Sequence, residues 1–140
     1  DHFKSYNDRF GHLEGDRVLK ACGQDLRQQV RTTDLACRYG GEEFVVLLPR
    51  TFLEEACRVA QRVRTGVKSL QFQPPDPNGG PARTVGITVS LGVAEYRSGL
   101  SLEDLVRRAD QALYAAKEAG RDRVAVHRGE GKVEVIQTAD

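Results

Sequence analysis

No apolar run in this chain approaches the roughly 18 residues that a membrane-spanning helix needs, and no secretory signal pattern opens it. A domain without direct membrane contact is expected, in the cytoplasm, with any anchor lying upstream. Methionine is absent, and the chain starts abruptly on Asp1-His2-Phe3-Lys4, as if cut from something longer. Cysteine is scarce: Cys22, Cys37 and Cys57 lack metal-ligand spacing and fall on core-facing positions, which predicts buried thiols in a reducing compartment. The only histidines are His2, His12 and His127, and no nucleophile elbow accompanies them, so hydrolase readings fall away. Neither a P-loop nor a Gly-x-Gly-x-x-Gly fingerprint occurs. Charge of one sign is also lacking. A net charge of +1 gives no reason to expect a nucleic-acid-binding surface.

What is present suits one ordinary globular domain. The 140 residues are 39% hydrophobic and 29% charged, enough chain to bury roughly two-thirds of its unfolded surface. A helix is predicted from about Leu13 to Arg31, with Val18, Leu19, Cys22, Leu26 and Val30 on one stripe. Two apolar segments flanking Gly40-Gly41 read as a β-hairpin. Thr51 and Glu54 suggest a capping box for a second helix, which Gly66 weakens slightly. Residues 73–83, rich in Pro and Gly, form a loop. Alternation from Thr84 to Tyr96 predicts a long half-buried strand. A third helix opens at Ser101 with Asp104 as its capping partner and ends at Gly120, and a last strand covers Arg123 to His127. The expected fold class is α/β, an α+β sandwich with a largely antiparallel central sheet flanked by helices. Residues 1–128 would form the domain and 129–140 a polar tail.

Four groups of residues could carry chemistry. In Arg38-Tyr39-Gly40-Gly41-Glu42-Glu43-Phe44, two adjacent carboxylates occupy a turn beside glycines that leave room for something to approach the backbone. Carboxylates ~5 Å apart repel by roughly 3 kcal/mol at an effective dielectric of about 20. A cation such as Mg²⁺, shared with phosphate, would remove that cost, although a solvated hairpin explains the same residues. The N-terminal stretch places Lys4, Asn7, His12 and Asp16 ahead of and along a helix start, where anions are favoured. Asn7 and Asp16 are suited to a guanine base and Lys4 to a phosphate, while simple helix capping is the alternative. Lys117 and Arg121 complement the end of the third helix and could also reach a triphosphate. Arg31, Asp34 and Arg62 are either surface charge or an arginine fork matched to guanine.

In order and spacing, five segments resemble the GGDEF-domain diguanylate cyclases over about residues 1 to 127. They are Phe3-Lys4-x-x-Asn7-Asp8, Gly11-His12-x-x-Gly15-Asp16, Arg38 to Phe44, Ser90 to Ala94, and Ala109-Asp110 through Lys117-x-x-Gly120-Arg121. The resemblance implies a palm-like, nucleotidyl-cyclase-like fold. It also implies a homodimer that condenses two GTP into cyclic di-GMP and releases two pyrophosphates. Glu42 would be a Mg²⁺ (or Mn²⁺) ligand and proton acceptor, supported by Glu43. Gly40 and Gly41 would sit against the phosphates. Asn7 and Asp16 would read guanine, with His12 and Phe3 beside the nucleotide. Lys4, Lys117 and Arg121 would neutralise the triphosphate. Arg31, Asp34 and Arg62 would form an inhibitory product site.

Three departures from the family pattern stand out. Glu42 replaces the Asp of the family's name, and Asp122 stands where Asn often follows Gly-Arg. The pattern also normally begins one strand earlier, with a metal-binding Asp two residues before the position of Asp1. The first strand is therefore expected to be missing, and this chain alone is expected to turn over weakly or not at all. The competing readings are a catalytically inactive cyclic di-GMP receptor and a GTP-binding module regulating a fused partner. An upstream sensor or receiver domain is expected in each case.

Overall fold

The computed structural model describes residues 1–138, which form two units, each with its own packing. Residues 1–49 and 66–87 make the first, and residues 50–65 with those from 88 onward make the second.

The first unit begins with α1 (Phe3–Phe10) and α2 (His12–Gln29), separated by Gly11. Gly11 has φ 89°, which lets the chain break one helix and start the next, and its amide donates to Asn7 O at 2.8 Å. On α1, Tyr6 is buried and its ring lies 4.8 Å from that of Phe10. Gly15, Val18, Leu19 and Leu26 form the buried stripe of α2. The hairpin of β1 (Leu35–Gly40) and β2 (Glu43–Leu47) is antiparallel, and Phe44 of β2 reaches α2 at Gly23. Gly66 belongs to α3 (Leu53–Ser69), and a Cβ there would lie 2.5 Å from Asp25 Oδ2. Its missing side chain thus admits a side chain of α2, which the sequence reading as a mere weak point did not show.

In the second unit β3 (Leu91–Ala94), β4 (Val124–Gly129) and β5 (Lys132–Val135) form a sheet in that order. β3 and β4 run parallel, as a strand–helix–strand connection through α4 (Leu102–Glu118) dictates, and β5 returns antiparallel. Val124, Ala125 and Val126 are fully buried in the middle strand. Ala112 and Ala116 of α4 pack on Ala125, and their short side chains bring the helix close to the sheet. At Gly92 the approach is closest: a Cβ would stand 2.1 Å from Ala109 O and 2.3 Å from Leu113 N. Leu53 and Cys57, from the start of α3, pack on Val126 from β4. Glu95 Oε2, just past β3, accepts the Leu53 amide at 2.9 Å.

The mixed α+β class with helices flanking sheets is as expected, but the strands lie in two sheets, one of them containing a parallel pair. The long strand expected from Thr84 to Tyr96 is reduced to β3 and a single bridge between Phe72 and Val85. Alternation makes a segment fit for a strand, but only a partner ladder makes it one. The segment after Arg128, expected as a tail, carries β5, because Val133 and Val135 pair with His127 and Ala125. Cys57 is buried and Cys22 half-buried, whereas Cys37 is exposed on β1, contrary to its expected core position. Burial raises the Cys22 thiol to about 11, so it is no nucleophile at neutral pH. Among the described residues, no helix is long and apolar enough to cross a membrane.

Candidate functional site

The hairpin tip is an irregular turn. Arg38 pairs with Phe44 and Gly40 with Glu43, so the register shifts at Tyr39 and the turn falls on Gly41-Glu42. The Arg38 guanidinium folds over this tip, donating from Nε to Gly41 O at 2.9 Å and from Nη2 to the same oxygen. Sequence reasoning gave Arg38 no role of its own. A side chain bonding carbonyls three residues on leaves no distinctive spacing to find.

Glu42 and Glu43 are exposed, and nothing lies within 4 Å of a Cβ placed on Gly40 or Gly41. Open space therefore lies on the side-chain side of both tip glycines. Among the described residues, no group of three or more His, Cys, Asp or Glu side chains could hold a metal ion. Two adjacent carboxylates nevertheless fit Mg²⁺ in part. That ion is commonly bound through one or two protein carboxylates, with water and substrate phosphates completing its octahedron.

The second group of predicted residues sits on α1 and α2 in the same unit. Asn7 Oδ1 is buried with no hydrogen-bond partner among the described residues. It lies 1.7 Å from where a Cβ on Gly15 would be, with Phe3 Cζ 3.1 Å from that point. The structure thus brings Phe3 and Asn7 together over Gly15, whose role in making this space the sequence reading had not assigned. Lys4 and Asn7 are one turn apart on α1, and His12 and Asp16 one turn apart on α2. Lys4, His12 and Asp16 are exposed.

Arg31 and Asp34 are also brought together. Arg31 Nη2 lies 3.1 Å from Asp34 Oδ1 and Nε lies 3.3 Å from Oδ2, while the Arg31 amide donates to Oδ2 at 2.8 Å. Arg31 Nη2 also donates to Pro49 O at 2.9 Å. The hydrogen bonds from Arg31 hold the Asp34 carboxyl below its ordinary range. Arg62 lies on the exposed side of α3, in the second unit.

Lys117 and Arg121 also belong to the second unit. Lys117 is in the last turn of α4, with its carbonyl accepting the Gly120 amide at 3.2 Å. Arg121 follows in a left-handed conformation, φ 66°, its amide bonded to Ala116 O at 3.0 Å.

A family model described as "Diguanylate cyclase, GGDEF domain" matches residues 1–123. Diguanylate cyclase DgcP of Pseudomonas aeruginosa is 46% identical over 126 residues, 90% of this chain and 18% of the relative. Diguanylate cyclase DgcM of Escherichia coli is 44% identical over 124 residues, 89% of this chain and 28% of the relative. The chain thus spans less than a third of either relative. Among solved structures, SiaD of P. aeruginosa, in complex with its activator SiaC, superposes with a TM-score of 0.81 at 42% identity. That match covers 90% of this chain and 46% of the SiaD chain. The GGDEF domain of DgcB from Caulobacter crescentus, in complex with c-di-GMP, gives 0.78 at 33% identity, covering 92% of this chain and 74% of that one. This chain belongs to the diguanylate cyclase GGDEF-domain family.

Proposed function

We propose that this domain condenses two GTP molecules into cyclic di-GMP, acting as a homodimer in which each protomer presents one GTP. The observation that carries the reading is the exposed Gly40-Gly41-Glu42-Glu43 tip, braced by Arg38 and open at both glycines. In each of two steps a ribose 3′-oxygen bonds to the α-phosphorus of the facing GTP. The bond from that phosphorus to the β-phosphate bridging oxygen breaks, and pyrophosphate leaves with the bond's electrons. Glu42 accepts the 3′-hydroxyl proton, and Glu43 holds its carboxylate beside it. A divalent cation bound at these carboxylates would supply charge neutralisation of the phosphates. Gly40 and Gly41 let phosphate oxygens approach the backbone. Asn7 and Asp16 read the guanine edge, and the orphaned Asn7 Oδ1 suits a ring or amino N–H donor. Phe3 and His12 flank the nucleotide. Lys4, Lys117 and Arg121 offset the triphosphate charge and that developing at the α-phosphorus.

The test is to incubate the natural full-length protein with GTP and Mg²⁺, following cyclic di-GMP and pyrophosphate. Both should appear in a 1:2 ratio, and Glu42→Ala should abolish them. No product, with no difference for Glu42→Ala, overturns the enzyme reading.

A second site for the product is favoured by the preformed Arg31–Asp34 pair. We propose that Arg31 and Asp34, with Arg62, take cyclic di-GMP as an inhibitor through arginine forks on the guanine edge. Calorimetry should show weaker product binding in Arg31→Ala; unchanged affinity removes the site. Retention of binding without turnover would instead support a receptor.

A further inference from the structure

The second unit contains a buried charged pair that the proposed reaction leaves unused. Arg64 of α3 is 3% exposed, and its guanidinium donates to Gln61 Oε1 and to Asp122 Oδ1, each at 3.0 Å. Asp122 follows Arg121 directly, and the backbone there is unusual. Gly120, Arg121 and Asp122 have successive φ values of 119°, 66° and 48°. Glycine adopts such angles freely and aspartate tolerates them, but for arginine the left-handed region is unfavourable. A strained residue persists only where its surroundings over-determine it.

The surrounding contacts do so from three sides. The Arg121 amide is tied to Ala116 O of α4 at 3.0 Å, and Arg121 O accepts from Arg123 Nε at 2.7 Å. The third tie is Arg64, reaching from a different helix to the carboxylate of the next residue. A largely buried ion pair is a poor source of stability compared with apolar packing, and fixing one conformation is a better account of it. An amide oxygen in place of the Asp122 carboxylate would still accept from Arg64.

We propose that Arg64 is a positioning residue for nucleotide turnover. Through Asp122 it holds the left-handed Gly120–Asp122 turn, so that the Arg121 guanidinium is presented to the triphosphate. The inference rests on the reading of Arg121 as a triphosphate contact.

The experiment compares Arg64→Met, Asp122→Asn, Arg121→Ala and the Arg64→Met/Arg121→Ala double variant in the natural full-length protein. Two readouts are taken: steady-state kinetics with GTP, and amide hydrogen exchange. Arg64→Met should lower kcat/KM roughly ten- to hundredfold, the scale of a misplaced contact. Asp122→Asn should keep most of it. In the Arg121→Ala background Arg64→Met should add nothing, because no guanidinium remains to be placed. The Arg121 amide should exchange faster in Arg64→Met, with the Val18 amide unchanged. Should Arg64→Met fail to fold, Arg64→Lys keeps the charge without the fork and should move both readouts the same way by less. Losses that add in the double variant, or an unaltered Arg121 amide, overturn the positioning role. An unchanged kcat/KM in Arg121→Ala instead overturns the triphosphate reading, and the catalytic consequence with it, while the exchange result still reports on the turn.

Discussion

The Asn7 side chain occupies the volume that a β-carbon on Gly15 would need, with Oδ1 1.7 Å from that position and no hydrogen-bond partner among the described residues. A buried carbonyl oxygen without a donor costs about 1–3 kcal/mol. The arrangement is therefore held by packing against the α2 backbone.

Gly15→Ala should push Asn7 aside and with it the proposed guanine contact. We expect KM for GTP to rise about tenfold, the loss of one buried hydrogen bond worth ~1.4 kcal/mol, with kcat less affected. GTP and ITP should then be discriminated less well, if Asn7 meets the exocyclic amino group. Steady-state kinetics with both nucleotides checks this, and an unaltered KM would place the base elsewhere.

Arg38→Met should loosen the hairpin tip without unfolding the unit, because its guanidinium bonds the tip carbonyls in a solvent-exposed setting. The expected outcome is kcat/KM reduced roughly tenfold or more through misplaced Glu42 and Glu43. The melting temperature should stay within a few degrees of the parent, as is usual for surface changes. A variant of parental activity would show that the turn holds its shape unaided.

Gly92→Ala tests the packing of α4 on β3. The added methyl meets backbone atoms at 2.1 and 2.3 Å, which cannot rotate away as a side chain could. Overpacking of this kind should cost about 3 kcal/mol, lowering the melting temperature by roughly 10 °C for a chain of this size. Thermal denaturation followed by circular dichroism decides it.

His127 predicts a pH dependence of stability. It is buried in β4, its Nδ1 accepts the Gly129 amide at 3.0 Å, and burial together with the positive charge of Arg108 lowers its pKa from the ordinary 6.5. The unfolded chain then takes up a proton more readily than the folded one. The contribution of His127 is full above pH 6.5 and is lost as pH falls through the lower folded value. Urea titrations across that range should show the midpoint falling on acidification. His127→Asn, which keeps an acceptor for Gly129, should flatten the dependence, and an equally steep curve would assign it to other groups.

How far the sequence foretold the molecule differs from one segment to the next. The Ser101 cap was legible because a hydroxyl three residues before Asp104 has one obvious partner, and the Asp104 amide does donate to Ser101 Oγ at 3.0 Å. The hairpin around Gly40-Gly41 was legible for a similar reason, since its signal is local. α1 was not: Asn7 and Asp8 look like capping residues, and burial of Tyr6 overrides their weak helix preference. The shortening of the strand before Leu91 was equally hidden, because alternation says nothing about whether a neighbouring strand exists. At the site, residue types that suit phosphate and guanine could be named in advance. Their supports, Arg38 over the tip and Gly15 under Asn7, depend on contacts visible only in three dimensions.

One contact outside the site has a consequence for how the second unit opens. Because the Leu53 amide is satisfied by the carboxylate of Glu95 and not by its own flanking residues, the first turn of α3 is fastened to the end of β3. Fraying of that helix turn should therefore be coupled to detachment of that strand end, so the unit is expected not to peel from its helical edge. The Leu53 amide becomes an internal gauge: its rate of deuterium uptake should follow that of Val93 and Val126 more closely than that of its helical neighbours.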